Sequence, residues 1–159
     1  IEKIIKEEGL IRAYKDGNDK EARWNMMMAS TEGAMAFSKG LGAVHSMSHA
    51  AGANQKLNLH HGTLNAVILP TILKFNHNHV GNKYSRIASA MGINESTNLA
   101  DEITKLNEMI GIPKGLAEMG ITEEMIPELV KHSITDPSNI TTPRLPTEEE
   151  WENLFLQCM

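Results

Sequence analysis

The sequence predicts an all-α fold. Three observations carry that expectation: apolar residues recur at three- and four-residue spacing, alternating strand patterns are missing, and capping residues, glycines and prolines punctuate the periodic stretches. Together they predict about seven to nine helices. Short β pairing has no supporting pattern.

Taken in order, Ile1, Ile4, Ile5 and Leu10 place a stripe along a helix from Ile1 to Tyr14, and Gly17-Asn18 turns the chain. Asp19 is the expected N-cap of a helix running through Trp24, Met26 to Met28, Gly33, Ala34, Ala36 and Phe37, whose small residues allow a close neighbour. Gly40 and Gly42 interrupt it. The next helix carries His45 and His49 and ends about Gly52, and Asn54 to Asn58 is polar loop. Leu64, Val67, Ile68, Leu69, Ile72, Leu73 and Phe75 surround most of a helix, as in a buried central helix, and Pro70 is expected to kink it. Tyr84, Ile87, Ala88 and Met91 mark a short amphipathic helix. Leu99, Ile103, Leu106 and Ile110 mark another, which Gly111 and Pro113 terminate. Thr122 before Glu123 and Glu124 signals a helix start, and Thr147 with Glu150 fits a capping box ahead of the inward stripe Trp151, Leu154, Phe155 and Cys158.

Composition narrows the class. With 159 residues and 41% hydrophobic content the chain suits one hydrophobic core, so a single helical domain over residues 1–159 is expected. No apolar run approaches the roughly 18 residues of a membrane span. A net charge of -5 with scattered lysines and arginines argues against a nucleic-acid or anionic-membrane surface and leaves small molecules as the expected partners. The lone Cys158 cannot form an internal disulfide, and no signal peptide opens the sequence, so a reducing cytoplasm is the expected setting. No glycine-rich phosphate turn of the GxGxxG kind follows a strand, so a nucleotide-binding domain is absent from this stretch.

Chemistry concentrates in one place, where His45, His49, His60 and His61 crowd between two glycine-flanked helical segments. Neutral imidazole ligates zinc, iron, copper and nickel, and it moves protons near neutral pH. His45 and His49 are four apart and share a helix face, while His61 precedes Gly62 where the chain turns into the apolar helix. On spacing alone the pair could equally be ordinary helix residues, because no carboxylate stands nearby in sequence to complete a metal site. His77 and His79 read as solvated loop residues and His132 as a helix-end histidine. Glu7-Glu8 and Glu148 to Glu150 read as solvated or helix-starting charges. Of the ten methionines, Met26, Met27 and Met28 are contiguous and point in different directions, so core filling is expected rather than a soft-metal face.

Read together, Gly42, His45, His49, Gly52 and His61-Gly62 resemble the C-terminal half of the iron-containing (group III) alcohol dehydrogenases. The likeness continues through Asn65, Leu69-Pro70, Phe75-Asn76, Gly111-Ile112-Pro113, Gly120-Ile121, Asp136 and Thr142-Pro143-Arg144. Against that pattern, Ser48 replaces an alanine, Thr142 replaces an asparagine, and the loop from Gly52 to His61 is longer. His60 stands where the commoner loop has proline, which leaves it a rival to His61.

The resemblance implies a bundle-like helical domain belonging to an oxidoreductase that interconverts an alcohol with an aldehyde or ketone, using NAD or NADP. It implies a divalent metal, usually Fe2+ and in some members Zn2+, held by an aspartate and three histidines. His45 and His61 match the last two of these ligands, and the first two would lie upstream, as would the nucleotide-binding domain. His49 matches a histidine near substrate and nicotinamide, where it would orient the substrate or relay its proton. A homo-oligomer is compatible with this reading. Two other classes stay open: a non-catalytic helical structural or dimerising module, and a metal-binding protein of unrelated function. The chain by itself is expected to show no dehydrogenase turnover.

Overall fold

The computed structural model describes residues 9–94 and 98–159. Most of the stripe expected between Ile1 and Tyr14, and Glu7-Glu8 with it, lies outside the described residues. Eight α-helices and five short 3-10 turns are present among the described residues, with no strand. They fall into two compact units, one drawn from Ile1–Lys39 with Val80–Leu99 and the other from Gly40–His79 with Ala100–Met159.

In the first unit α1 (Gly9–Lys15) is followed by the turn at Gly17-Asn18 and α2 (Lys20–Ala36). Asp19 caps α2 as expected, its carboxylate accepting from the Ala22 backbone N–H. Arg12 joins the two helices, donating to Asp19 at 2.9 Å and to Glu21 at 3.0 Å. α5 (Lys83–Ala90) buries Ala88 and leaves Ile87 largely exposed.

The second unit holds α3 (Ala43–Gly52), α4 (His61–Asn76), most of α6 (Leu99–Met109), α7 (Ile126–Thr135) and α8 (Glu148–Gln157). Its core joins Met47, Leu64, Ile68, Leu116, Ile121, Trp151 and Phe155, all essentially inaccessible to water. Each such side chain contributes about 1.5–3 kcal/mol by leaving water. α3 lies in this core between α4 and α7, so the helix carrying two of the histidines rests on packed neighbours. The capping box of Thr147 and Glu150 is formed, and Glu150 also receives Arg144, whose guanidinium lies 4.0 Å from the centre of the Phe75 ring.

Gly40 and Gly42 break the chain between α2 and α3 with φ of +92° and +98°. Both values lie in the region that only glycine adopts cheaply.

Two expectations need correction. α4 is not buried all round: Leu64, Val67, Ile68 and Ile72 face the core, while Leu69 and Leu73, turned by the 100° step to the other side, are only half-buried. Nor do the methionines all fill the core, since Met47 is enclosed but Met27, Met28, Met35 and Met109 are exposed.

Pro70 sits inside α4, where it cannot donate to the carbonyl of Ala66 one turn earlier. The amide of Asn107 on α6 supplies the missing donor at 2.7 Å. No described helix is long and apolar enough to cross a membrane.

Candidate metal and catalytic site

The histidines come together by two short-range rules. The four-residue spacing on α3 stacks His45 and His49 on one face. The turn before α4 then brings His61, its first residue, against them. Ring centroids lie 5.7 Å apart for His45 and His49, 5.3 Å for His45 and His61, and 5.4 Å for His49 and His61.

His60 is used differently. It is the N-cap of α4, and its Nδ1 accepts from the Thr63 backbone N–H at 3.3 Å and lies 3.1 Å from the Thr63 hydroxyl. Its ring is thereby tied to the helix start. His77, His79 and His132 are exposed, as expected.

Two residues that the sequence reading gave no role complete the arrangement. Asn65, one turn beyond His61 on α4, sets its Nδ2 at 3.3 Å from His45 Nε2 and 3.0 Å from His61 Nε2, while its own Oδ1 is buried without a hydrogen-bond partner. Both Nε2 lone pairs thus point at one position, and the amide leaves its oxygen unsatisfied to meet them. The spacing of Asn65 from His61 was a local signal that could have found it.

Asp136, just past α7, lies 2.9 Å from His49 Nδ1. It is 87 residues from its partner, so no local pattern could have announced it. Asp136 also caps the 3-10 turn Pro137–Thr141 by accepting from the Ser138 backbone N–H at 2.8 Å. The turn is anchored from within: Ser46 on α3 donates to Asn139 Oδ1 at 2.6 Å, and Asn139 donates to the carbonyls of Ser133 and Ile134.

The electrostatics favour neutral imidazoles at two positions. Burial pushes the His45 ring below the usual histidine range, and repulsion from His61 and His49 adds to this while Asp136 opposes it. The same causes act on His61, whose charged form is disfavoured by burial and then by His49 and His60. For Asp136 burial pulls upward, but hydrogen bonds from the Ser138 side chain and backbone and from His49 outweigh it and hold the carboxyl below its ordinary value.

A carboxylate at Nδ1 fixes a neutral His49 as the Nδ1–H tautomer, with Nε2 free to accept a proton. His49 and Asp136 border an open hollow of about 310 Å³ with Ala50, His132, Thr135 and Pro137.

The residues fit a borderline divalent ion as a pair of imidazole donors: both are held neutral, and both Nε2 atoms converge on one position now met by a polar amide. Among the described residues no three histidine, cysteine, aspartate or glutamate side chains surround a common metal position. A separate cleft of about 270 Å³, bordered by Pro70, Thr71, Asn107 and Cys158, contains none of the histidines.

Comparison with known proteins gives a consistent result. Residues 2–159 match the model of the Fe-containing alcohol dehydrogenase family, C-terminal part. The 4-hydroxybutyrate dehydrogenase of Cupriavidus necator is 38% identical over 155 residues, covering 93% of this chain and 41% of that protein. The lactaldehyde reductase of Escherichia coli K12 is 36% identical over 156 residues, covering 92% of this chain and 40% of that protein. The crystal structure of a 1,3-propanediol oxidoreductase superposes with a TM-score of 0.91 at 30% identity, over 99% of this chain and 44% of that one. The chain therefore spans about two fifths of the length of these relatives.

Proposed function

The chain belongs to the Fe-containing alcohol dehydrogenase family, and on that premise we propose that it forms the metal-binding, catalytic part of a dehydrogenase that interconverts a small alcohol with its aldehyde or ketone. The observation that carries this reading is the convergence of His45 Nε2 and His61 Nε2 on the Asn65 amide, with His49 beside them and Asp136 behind it.

His45 and His61 are the two ligands this stretch would contribute to a divalent ion, Fe2+ first and Zn2+ as the alternative. The ion, when bound, polarises the substrate oxygen and stabilises alkoxide character. Asn65 keeps the two rings aimed at one point, and the half-buried walls of α3 and α4 keep them neutral. His49 is the proton carrier. Asp136 accepts from its Nδ1–H, which leaves Nε2 to take the hydroxyl proton of a bound alcohol; NAD or NADP, when bound, would supply the hydride acceptor. In the reverse direction the imidazolium returns that proton. Asp136 stabilises the charged ring in between. The nicotinamide nucleotide is assigned to the remaining part of the family's architecture, since this stretch has no glycine-rich phosphate turn. A cytoplasmic setting belongs to the same proposal.

Metal titration of the chain followed by calorimetry, with His45→Ala, His61→Ala and His49→Ala beside it, tests the assignment. Weak binding by the wild-type chain, lost with either His45 or His61 and kept with His49→Ala, is the expected result. Unchanged binding in both ligand variants would refute it. With the family's N-terminal part joined to residue 1, His49→Ala is expected to lower kcat by about 10²–10⁴ while metal content stays the same.

A further inference from the structure

Asn65 reaches both convergent imidazoles from a single position. It stands four residues after His61 on α4, so the two side chains share a helix face. Its Nδ2 lies 3.3 Å from His45 Nε2 and 3.0 Å from His61 Nε2, so one atom bridges α3 and α4. The other end of the amide, Oδ1, is buried and has no hydrogen-bond partner. A buried acceptor in that position carries a desolvation cost that nothing in the chain offsets.

The two distances are those of neighbouring donors on one ion. With metal–donor separations of about 2.0–2.1 Å, adjacent donors lie about 2.9 Å apart at right angles and about 3.4 Å apart at the tetrahedral angle. The Asn65 amide therefore borders the position of an ion held by His45 and His61. A carboxamide gives a cation its oxygen, because the nitrogen carries two hydrogens and no free lone pair. Its two ends are nearly equal in size, and a half-turn about the Cβ–Cγ bond exchanges them. That turn carries Oδ1 into the place of Nδ2.

The geometry points to Asn65 as a third donor of this metal site, supplying Oδ1 beside His45 Nε2 and His61 Nε2. The inference rests on the functional reading above, which takes two imidazoles from this stretch, and adds an oxygen to them. Two imidazoles with one oxygen suit Fe2+ or Mn2+ better than two imidazoles alone, since oxygen donors favour the harder ions. Among the described residues no third histidine, cysteine, aspartate or glutamate fills that place.

Titration of the chain with Mn2+, followed by the electron paramagnetic resonance of the free ion, and with Ni2+, followed by calorimetry, separates a donor from a residue that only aims the rings. A carbonyl oxygen matters more to Mn2+, and imidazole carries more of the affinity for Ni2+. Asn65→Ala is expected to weaken Mn2+ binding by at least about tenfold and Ni2+ binding by no more than about threefold. Asn65→Asp keeps an oxygen in the same place and loses both N–H donors, and it should bind Mn2+ at least as tightly as the wild-type chain. His45→Ala and His61→Ala should weaken the binding of both ions.

Equal losses for the two ions in Asn65→Ala would leave Asn65 an aiming residue and overturn the inference. Unchanged binding in that variant, or a wild-type chain that takes Ni2+ and no Mn2+ at millimolar concentration, would do the same. Should Asn65→Ala lose its helical circular dichroism, the isosteric Asn65→Asp still decides, because Mn2+ binding weaker than wild type refutes an oxygen donor. Unchanged binding of both ions in His45→Ala and His61→Ala would refute the functional reading. Loss in those two variants, with Asn65→Ala unaffected, refutes the third donor alone.

Discussion

Replacing Asn107 by alanine removes a side-chain donor from the Ala66 carbonyl, to which Pro70 cannot donate. A net hydrogen bond contributes about 0.5–1.5 kcal/mol, and a carbonyl left without a partner costs about 1–3 kcal/mol according to its burial. Asn107 and Ala66 are half-buried, so water can reach part of the site and the expected loss is about 1–2 kcal/mol. For a chain of this size that corresponds to about 3–6 °C in Tm. Urea and thermal unfolding followed by circular dichroism at the helix band measure it.

The mechanism is separable from general packing loss by a double-mutant cycle. Pro70→Ala restores a backbone N–H to the Ala66 carbonyl, so Asn107→Ala in that background should cost less by about 0.5 kcal/mol or more. Equal costs in the two backgrounds would refute the compensation and leave Asn107 as an ordinary helix-face residue.

Four further outcomes follow from the same structure. Burial pushes the Cys158 thiol from 9.0 up to about 11, against a weaker opposing hydrogen bond from Thr71, so at pH 8 only about one thiol in a thousand is ionised. A disulfide reagent should label the denatured chain readily and the native chain very slowly; fast native labelling at pH 8 would contradict the burial. The raised value also means that the thiol favours the folded state below pH 9, and that this contribution is lost as pH rises from 9 towards 11, which denaturant midpoints across that range would read. Gly40→Ala forces a left-handed residue and drives its Cβ into the β-branched Thr141 side chain, whose own Cβ is among the atoms in the way and is not moved by a change of rotamer; a loss of at least about 2 kcal/mol is expected in urea unfolding. Asn139→Ala removes a donor from the Ser133 and Ile134 carbonyls and the shorter of the two acceptors of the Ser46 hydroxyl, leaving Ser133 O with the Asp136 backbone N–H and Ser46 Oγ with the Gly42 carbonyl; it should cost about 1–3 kcal/mol and loosen His49, seen as a shift in its imidazole proton resonances.

Much of the local architecture was legible in the residues. Asp19, the pair Thr147 and Glu150, and the stripe Trp151, Leu154, Phe155 and Cys158 are found where capping chemistry and 3.6-residue periodicity predicted them. These are properties of neighbours along the chain. The apolar circumference of α4 and the methionines of α2 were misjudged for a related reason: periodicity says that a face is apolar, but only the packed partners decide whether it is covered.

The candidate site divides along the same line. Spacing alone put His45 and His49 on one helix face, and the resemblance favoured His61, which precedes Gly62, as the ligand while leaving His60 a rival. Tertiary structure decided the rest. It turned His60 into a helix cap and brought His61 into the ring cluster. It set Asn65 between two imidazoles and carried Asp136 across 87 residues to orient His49. Local sequence encodes backbone conformation and face because those depend on interactions within about four residues. Which polar atoms meet, and which are desolvated enough to change their protonation, depends on the packing of α3 against α4 and α7, a contact between segments that no window along the chain contains.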